Sequence, residues 1–134
     1  MSIYAGPVFD MARQQFQVIA DHIGIPEDER DRLLCPKRAI TVSCPIHRDD
    51  GTTALFQGYR VQHHLTLGPT KGGTRFSATV DIGEVVALAI WMSWKRALAG
   101  LPYGGAKRRH HRESTFLVAA RTGRAIPPLN RLKH

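Results

Sequence analysis

Apolar positions recur first with a helical period and then with a strand period. Phe9, Ala12, Phe16, Ile19 and Ile23 return at three- and four-residue steps, which predicts an amphipathic helix over residues 8–22. Gly24 stops it, and Pro26 with Glu27-Asp28-Glu29 opens a second, short helix through Leu34. From Arg38 the period falls to two. Ile40, Val42 and Cys44 alternate with Ala39, Thr41 and Ser43, as in a half-buried strand. Asp49-Asp50-Gly51 is a turn signal, and the run over residues 53–62 supplies a second strand, so the two read as an antiparallel hairpin. Gly58 inside it marks a bulge or a close backbone contact. His63 and His64 follow at the strand end, where side chains are expected near solvent.

The longest apolar segment predicts a helix over residues 82–99. Asp81 is a good N-cap, and Glu84 three positions later makes a capping-box pattern. Val85, Leu88, Ala89 and Met92 mark one face, while Val86, Ile90, Trp94 and Leu98 mark a neighbouring one. Apolar surface that wide implies burial on more than one side. Lys95 and Arg96 fall in the last turns, where cations favour the helix dipole, and Gly100 ends the helix. The pattern as a whole predicts an α+β fold: an N-terminal helix, a mixed sheet containing a hairpin, and a long buried helix.

Length and composition narrow the class. A chain of 134 residues is one domain by length, and 43% hydrophobic residues are enough for a real core. No apolar run is long enough to span a bilayer, and the start, Met1-Ser2-Ile3-Tyr4-Ala5, has no secretory signal pattern, so a cytoplasmic location is expected. Cys35 and Cys44 are then expected as free thiols. The net charge of +8 is uneven: residues 1–107 carry +2 and residues 108–134 carry +6. The basicity belongs to the tail and says little about the folded part. Its Arg/His clusters suit a nucleic-acid-binding arm, against which stands the simpler expectation of a disordered tail.

Three lysines stand out by their surroundings. Lys71 lies in Gly68-Pro69-Thr70-Lys71-Gly72-Gly73, Lys95 in the broadly apolar helix, and Lys107 after Leu101-Pro102-Tyr103-Gly104-Gly105-Ala106. Glycines allow another backbone or a ligand to come close. A lone lysine is ordinarily a solvated side chain. A lysine deprived of water instead becomes easier to deprotonate, which suits proton relay and carbonyl polarisation.

These motifs, with Pro36-Lys37-Arg38 and Phe56-Gln57-Gly58-Tyr59-Arg60-Val61-Gln62-His63, resemble the N-terminal domain of the Glu/Leu/Phe/Val dehydrogenase family, most closely its glutamate dehydrogenases. The resemblance covers residues 1–107, most securely from 36 onward. It implies NAD(P)-dependent oxidative deamination of L-glutamate to 2-oxoglutarate and ammonia, with homohexameric assembly. It assigns Lys71 to the side-chain carboxylate, Lys95 to the α-carboxylate with Met92 lining the same pocket, and Lys107 to catalysis at the 2-oxo group. Relatives acting on branched-chain or aromatic amino acids carry an apolar residue at the place of Lys71, so lysine there implies glutamate.

The family pattern continues with two glycines, an apolar strand, a catalytic aspartate and a Rossmann-type NAD(P) domain. This sequence instead reads Arg108-Arg109-His110-His111-Arg112-Glu113-Ser114, and no glycine-rich dinucleotide fingerprint follows a strand. Residues 1–107 are therefore expected to be a partial substrate-binding and oligomerisation domain, and 108–134 a basic tail read out of frame. The genetic code allows Lys107 to Ser114 to be written with the codons AAA-AGG-CGG-CAT-CAT-CGT-GAA-TCC, an illustrative choice among synonymous ones. Removing one adenine turns that string into lysine, two glycines, two isoleucines, valine and asparagine. Such a chain is expected to be inactive alone and to bind no cofactor. The alternatives are a non-catalytic fragment that binds dehydrogenase subunits and a basic-tailed nucleic-acid binder.

Overall fold

The computed structural model describes residues 3–111. Helix α1 spans Pro7–Ile23, with proline at its start, where no intrahelical N–H bond is needed. It ends at Gly24, whose left-handed backbone (φ 70°) turns its N–H back onto the carbonyls of Ala20 and Asp21. Helix α2 spans Glu27–Leu34, its first turn acidic. Strands β1 (Arg38–His47) and β2 (Thr53–Gln62) form the expected hairpin, in one unbroken register from Arg38↔Gln62 to His47↔Thr53. Gly58 sits opposite Val42 in that ladder, with no bulge. Two short strands follow, β3 (Thr70–Lys71) and β4 (Thr74–Ser77). Helix α3 (Ile82–Leu98) begins at Asp81, whose carboxylate accepts the Glu84 N–H at 2.8 Å. Strand β5 (Gly104–His111) comes last.

The last strand takes the middle of the sheet. The order is β1-β2-β5-β3, with β4 also paired to β5. β5 runs antiparallel to β2, with Val61↔Lys107 and Gln62↔Ala106. It runs parallel to β3 and β4, with Lys71↔Gly105 and Thr74↔Arg108. α3 is the crossover that parallel pairing of β4 and β5 requires. β5 continues through Arg108 to His111, across the boundary expected after Lys107; residues 112–134, where the rest of the expected tail falls, lie outside the described residues.

α3 packs on β2 and β5, and α1 packs on α3, so the layers are sheet, buried helix and outer helix. Val85, Val86, Ala89 and Ile90 of α3 meet Phe9, Val61 and Val80 in the core. The fold is α+β. No helix among the described residues is long and apolar enough to cross a membrane, and Cys35 and Cys44 are free.

Two burial expectations need correction. The buried line of α1 is Phe9, Ala12, Phe16 and Ala20, while Ile19 and Ile23 are 52% and 64% exposed. α1 meets α3 along a narrow stripe, and the two isoleucines lie on its flank. β1 is also not half-buried: Ile40, Val42 and Ile46 are all exposed. The helices cover β2 and β5, and the edge strand reaches beyond them. At the other end of α3, Leu98 is 90% exposed, so the burial of its apolar surface stops before the last turn.

Candidate anion site around three lysines

The three lysine-bearing segments meet at the start of β5. Gly105 lies flat on α3: a Cβ there would come within 2.3 Å of the Ser93 nitrogen and hydroxyl and 2.4 Å of the Ala89 carbonyl oxygen. Strand and helix therefore approach backbone to backbone. Gly72 plays the same part on the other side, since a Cβ there would overlap the Ala106 carbonyl. The close approach expected of these glycines is thus made by protein backbone. Gly73 differs, because the nearest atom to its Cβ position is Lys107 Nζ at 3.7 Å. The ammonium of Lys107 accordingly lies beside the loop that carries Lys71, and the Arg108 N–H donates to the Gly73 carbonyl at 3.3 Å.

Lys71 is exposed on β3, with Nζ 5.7 Å from the centroid of the Tyr103 ring. A cation over an aromatic face is held by the ring quadrupole, so Tyr103 steadies Lys71 from the segment leading into β5. Lys95 is exposed on α3, contrary to the expectation that so apolar a helix would enclose it. The reason is the face it occupies: in this turn it is Arg96 that points to β3 and β5, and Lys95 points away from them. Lys107 and Met92 are partly buried. Within this chain, then, Lys71 and Lys95 keep their water, and their use lies in charge and reach.

Arg96 is the residue that sequence reasoning passed over as a dipole-favouring cation. It is buried, 8% exposed, and its Nη1 donates to the carbonyls of both Lys71 and Gly104. Spacing held the clue: Ala89, Ser93 and Arg96 form one helical line, and that line faces the glycines of β5.

His63 also departs from expectation. It is 1% exposed, not solvated at a strand end. Its backbone N–H donates to the Gly105 carbonyl at 2.8 Å, which carries it inward with β5. Nε2 lies 2.9 Å from the Leu33 carbonyl and must carry the proton, so Nδ1 accepts from the Ser93 hydroxyl at 2.8 Å. Both ring nitrogens are used up in tying α2 and α3 to the end of β2. Burial, reinforced by the adjacent His64 and partly offset by the Leu33 carbonyl, pushes the His63 pKa down to about 4. His64 meets the His63 ring edge-on at 4.4 Å, and burial lowers its pKa as well.

The sequence profile of the Glu/Leu/Phe/Val dehydrogenase dimerisation domain matches residues 36–111, which takes in the hairpin, all three lysines and the whole of β5. The chain belongs to this family. It is 47% identical over 113 residues to the NADP(+)-dependent glutamate dehydrogenase of Pyrobaculum calidifontis, covering 79% of this chain and 27% of that one. It is 45% identical over 100 residues to the NAD-specific glutamate dehydrogenase of Clostridioides difficile, covering 75% and 24%. The fold superposes on the hetero-hexameric glutamate dehydrogenase of Thermus thermophilus in its leucine-bound form with a TM-score of 0.72 and 35% identity, over 82% of this chain and 27% of that one. The chain thus spans about a quarter of the length of these relatives.

The family match ends where β5 ends, and His63 lies inside it as a tie between elements. Its lowered pKa makes stability depend on acid. Between pH 6.5 and about 4 the unfolded chain takes up a proton that folded His63 refuses, so stability falls as pH falls through that window and levels off below it. The full loss is at most roughly 3 to 4 kcal/mol, at about 1.4 kcal/mol for each pKa unit. Urea unfolding across this range is expected to show the decline, and His63→Gln is expected to reduce it, leaving the part due to His64. A decline of equal size in the variant would assign it to other groups.

Proposed function

We propose that this chain forms the substrate-side wall of a glutamate dehydrogenase site. Lys71 pairs with the side-chain carboxylate of glutamate or 2-oxoglutarate. Lys95 pairs with the α-carboxylate, with Met92 lining the pocket one turn earlier. Lys107 directs its ammonium at the 2-oxo oxygen, stabilising the negative charge that develops there as water or ammonia adds. The observation that carries this reading is the convergence on β5: Lys107 Nζ beside Gly73, Lys71 opposite Gly105, and α3 packed against that same glycine. Two carboxylates call for two cations, and a carbonyl between them for a third donor.

In the full reaction, L-glutamate is oxidised to 2-oxoglutarate and ammonia, and NAD or NADP accepts the hydride. The described residues do not fit that cofactor. Their one strand-to-helix turn, Ala78-Thr79-Val80-Asp81 from β4 to α3, has no glycine, and its helix N-terminus is capped by the Asp81 carboxylate where a phosphate would sit. The 134-residue polypeptide is therefore expected to bind the dicarboxylate without turning it over. Calorimetry should detect 2-oxoglutarate binding that weakens at least roughly tenfold in Lys71→Ala and in Lys95→Ala, the usual cost of one charged hydrogen bond. NADPH or NADH oxidation with 2-oxoglutarate and ammonium should stay at background. Turnover by the purified chain, or unchanged binding in both variants, would contradict the reading.

Assembly is part of the same proposal. Ile40, Val42, Ile46 and Leu55 leave the hairpin with exposed apolar side chains, and among the described residues β1 is a sheet edge. Apolar surface of this kind marks contact with another chain. Light scattering is expected to give a discrete multiple of the 14.9 kDa chain mass; a monomer at micromolar concentration would refute it.

The change of reading frame after Lys107 is a separate proposal, supported by the match between the shifted string and the family pattern. Its test is the coding DNA. An adenine run at the Lys107 codon, with family-like protein in the shifted frame, is expected; absence of either sinks it.

A further inference from the structure

Arg96 is a buried cation with an unusual set of partners. Its neighbours Lys95, Ala97 and Leu98 are exposed, while it turns inward and is 8% exposed. Among the described residues it pairs with no carboxylate. Its partners are two backbone carbonyls, those of Lys71 and Gly104, reached from one guanidinium nitrogen. Burying a charge without a counter-ion is costly, and two carbonyl dipoles offset that cost only in part. The positive charge that remains sits directly behind the loop of Lys71 and the first residue of β5.

The geometry gives this side chain a specific consequence. α3 carries Lys95 next to Arg96 in sequence. β3 carries Lys71, whose own carbonyl Arg96 grips. β5 carries Lys107 three residues after Gly104, whose carbonyl Arg96 also grips. One guanidinium therefore joins the backbones of all three lysine-bearing elements. We propose that Arg96 is a positioning residue, which sets the spacing of Lys71, Lys95 and Lys107 and presents an uncompensated charge that a bound dicarboxylate neutralises. This rests on the dicarboxylate reading of the site. Lysine at this position would not serve equally, because its side chain ends one bond short of the guanidinium nitrogen that holds both carbonyls, and its ammonium is more strongly hydrated.

The role separates from simple stability because it concerns the distance between two cations. A ligand with two carboxylates needs Lys71 and Lys95 at a fixed spacing, whereas a ligand with one carboxylate needs only one of them. The test compares the full 134-residue chain with Arg96→Met and Arg96→Lys. Two readouts are taken: calorimetric affinity for 2-oxoglutarate and for 2-oxobutanoate, and hydrogen exchange at the amides of Gly104 and Arg108. Those amides bond to the carbonyls of Pro69 and Gly73, on either side of Lys71. In Arg96→Met the preference for the dicarboxylate is expected to fall about tenfold, the scale of one charge-assisted hydrogen bond. Exchange at Gly104 and Arg108 is expected to quicken while the β1–β2 hairpin keeps its protection. Should Arg96→Met fail to fold, Arg96→Lys carries the test, with quicker exchange at the two amides and a smaller fall in preference.

Equal losses for both ligands, or unchanged exchange in the variant that folds, would overturn the proposal. If the wild-type chain binds neither ligand, the dicarboxylate reading of the site fails and the spacing role fails with it. In that case exchange at Gly104 and Arg108 reports only whether Arg96 holds the two segments together.

Discussion

The structure depends on one close approach, that of the β5 backbone to helix α3. Gly105 rests on Ala89 and Ser93 with no room for a methyl group between them. A side chain there would force strand and helix apart by more than the core could follow, because well-packed interiors accommodate an added carbon only by shifting backbone. The same contact sets the depth at which β5 enters the sheet. It thereby sets the height of Lys107 relative to the helix that carries Lys95. On the far side Gly72 lets the β3–β4 loop close against Ala106, so β5 is gripped from two directions by backbone alone. Rigid placement of functional cations follows from glycine here, the residue usually linked to flexibility.

Polar ties surround that contact. His63 reaches α2 through Leu33 and α3 through Ser93, and Arg96 reaches β3 and β5. Each uses hydrogen bonds to hold elements whose apolar contact is thin. Ser93 belongs to both arrangements, because it packs against Gly105 and donates to His63. The apolar core lies deeper, around Val61, Val86 and Ile90. The lysines thus stand at a polar margin of the fold, where charge is available and the backbone is nevertheless fixed.

Local patterns were legible in the sequence wherever one element decides its own form. The two hairpin strands, the Asp81 cap and the stop at Gly24 follow from periodicity and from backbone preferences, and the structure has each of them. Burial was less legible, because it depends on which neighbour covers a face. Ile19 and Ile40 carry the right period yet remain exposed, since α3 is narrow and the sheet extends past it. His63 and Arg96 were misread for a related reason. Their partners, Ser93 and Leu33 for one and Lys71 and Gly104 for the other, are distant in sequence, so neither position announces its contacts. The lysines were found because glycine-rich motifs are local; the residue that joins them was missed because its effect is tertiary.

The central place of β5 has a consequence for how the chain is made. The hairpin of β1 and β2 can form as soon as it leaves the ribosome, but its inner edge stays open until the last described strand arrives. β5 must then slot between β2 on one side and β3 and β4 on the other, joining segments some forty residues apart in sequence. Pairing over such separations is slow, because chain entropy is lost before contacts reward it. Completion of the sheet and arrival of Lys107 are therefore a single event: no intermediate lacking β5 holds the three lysines together, and the anion site comes into being in the step that seals the fold.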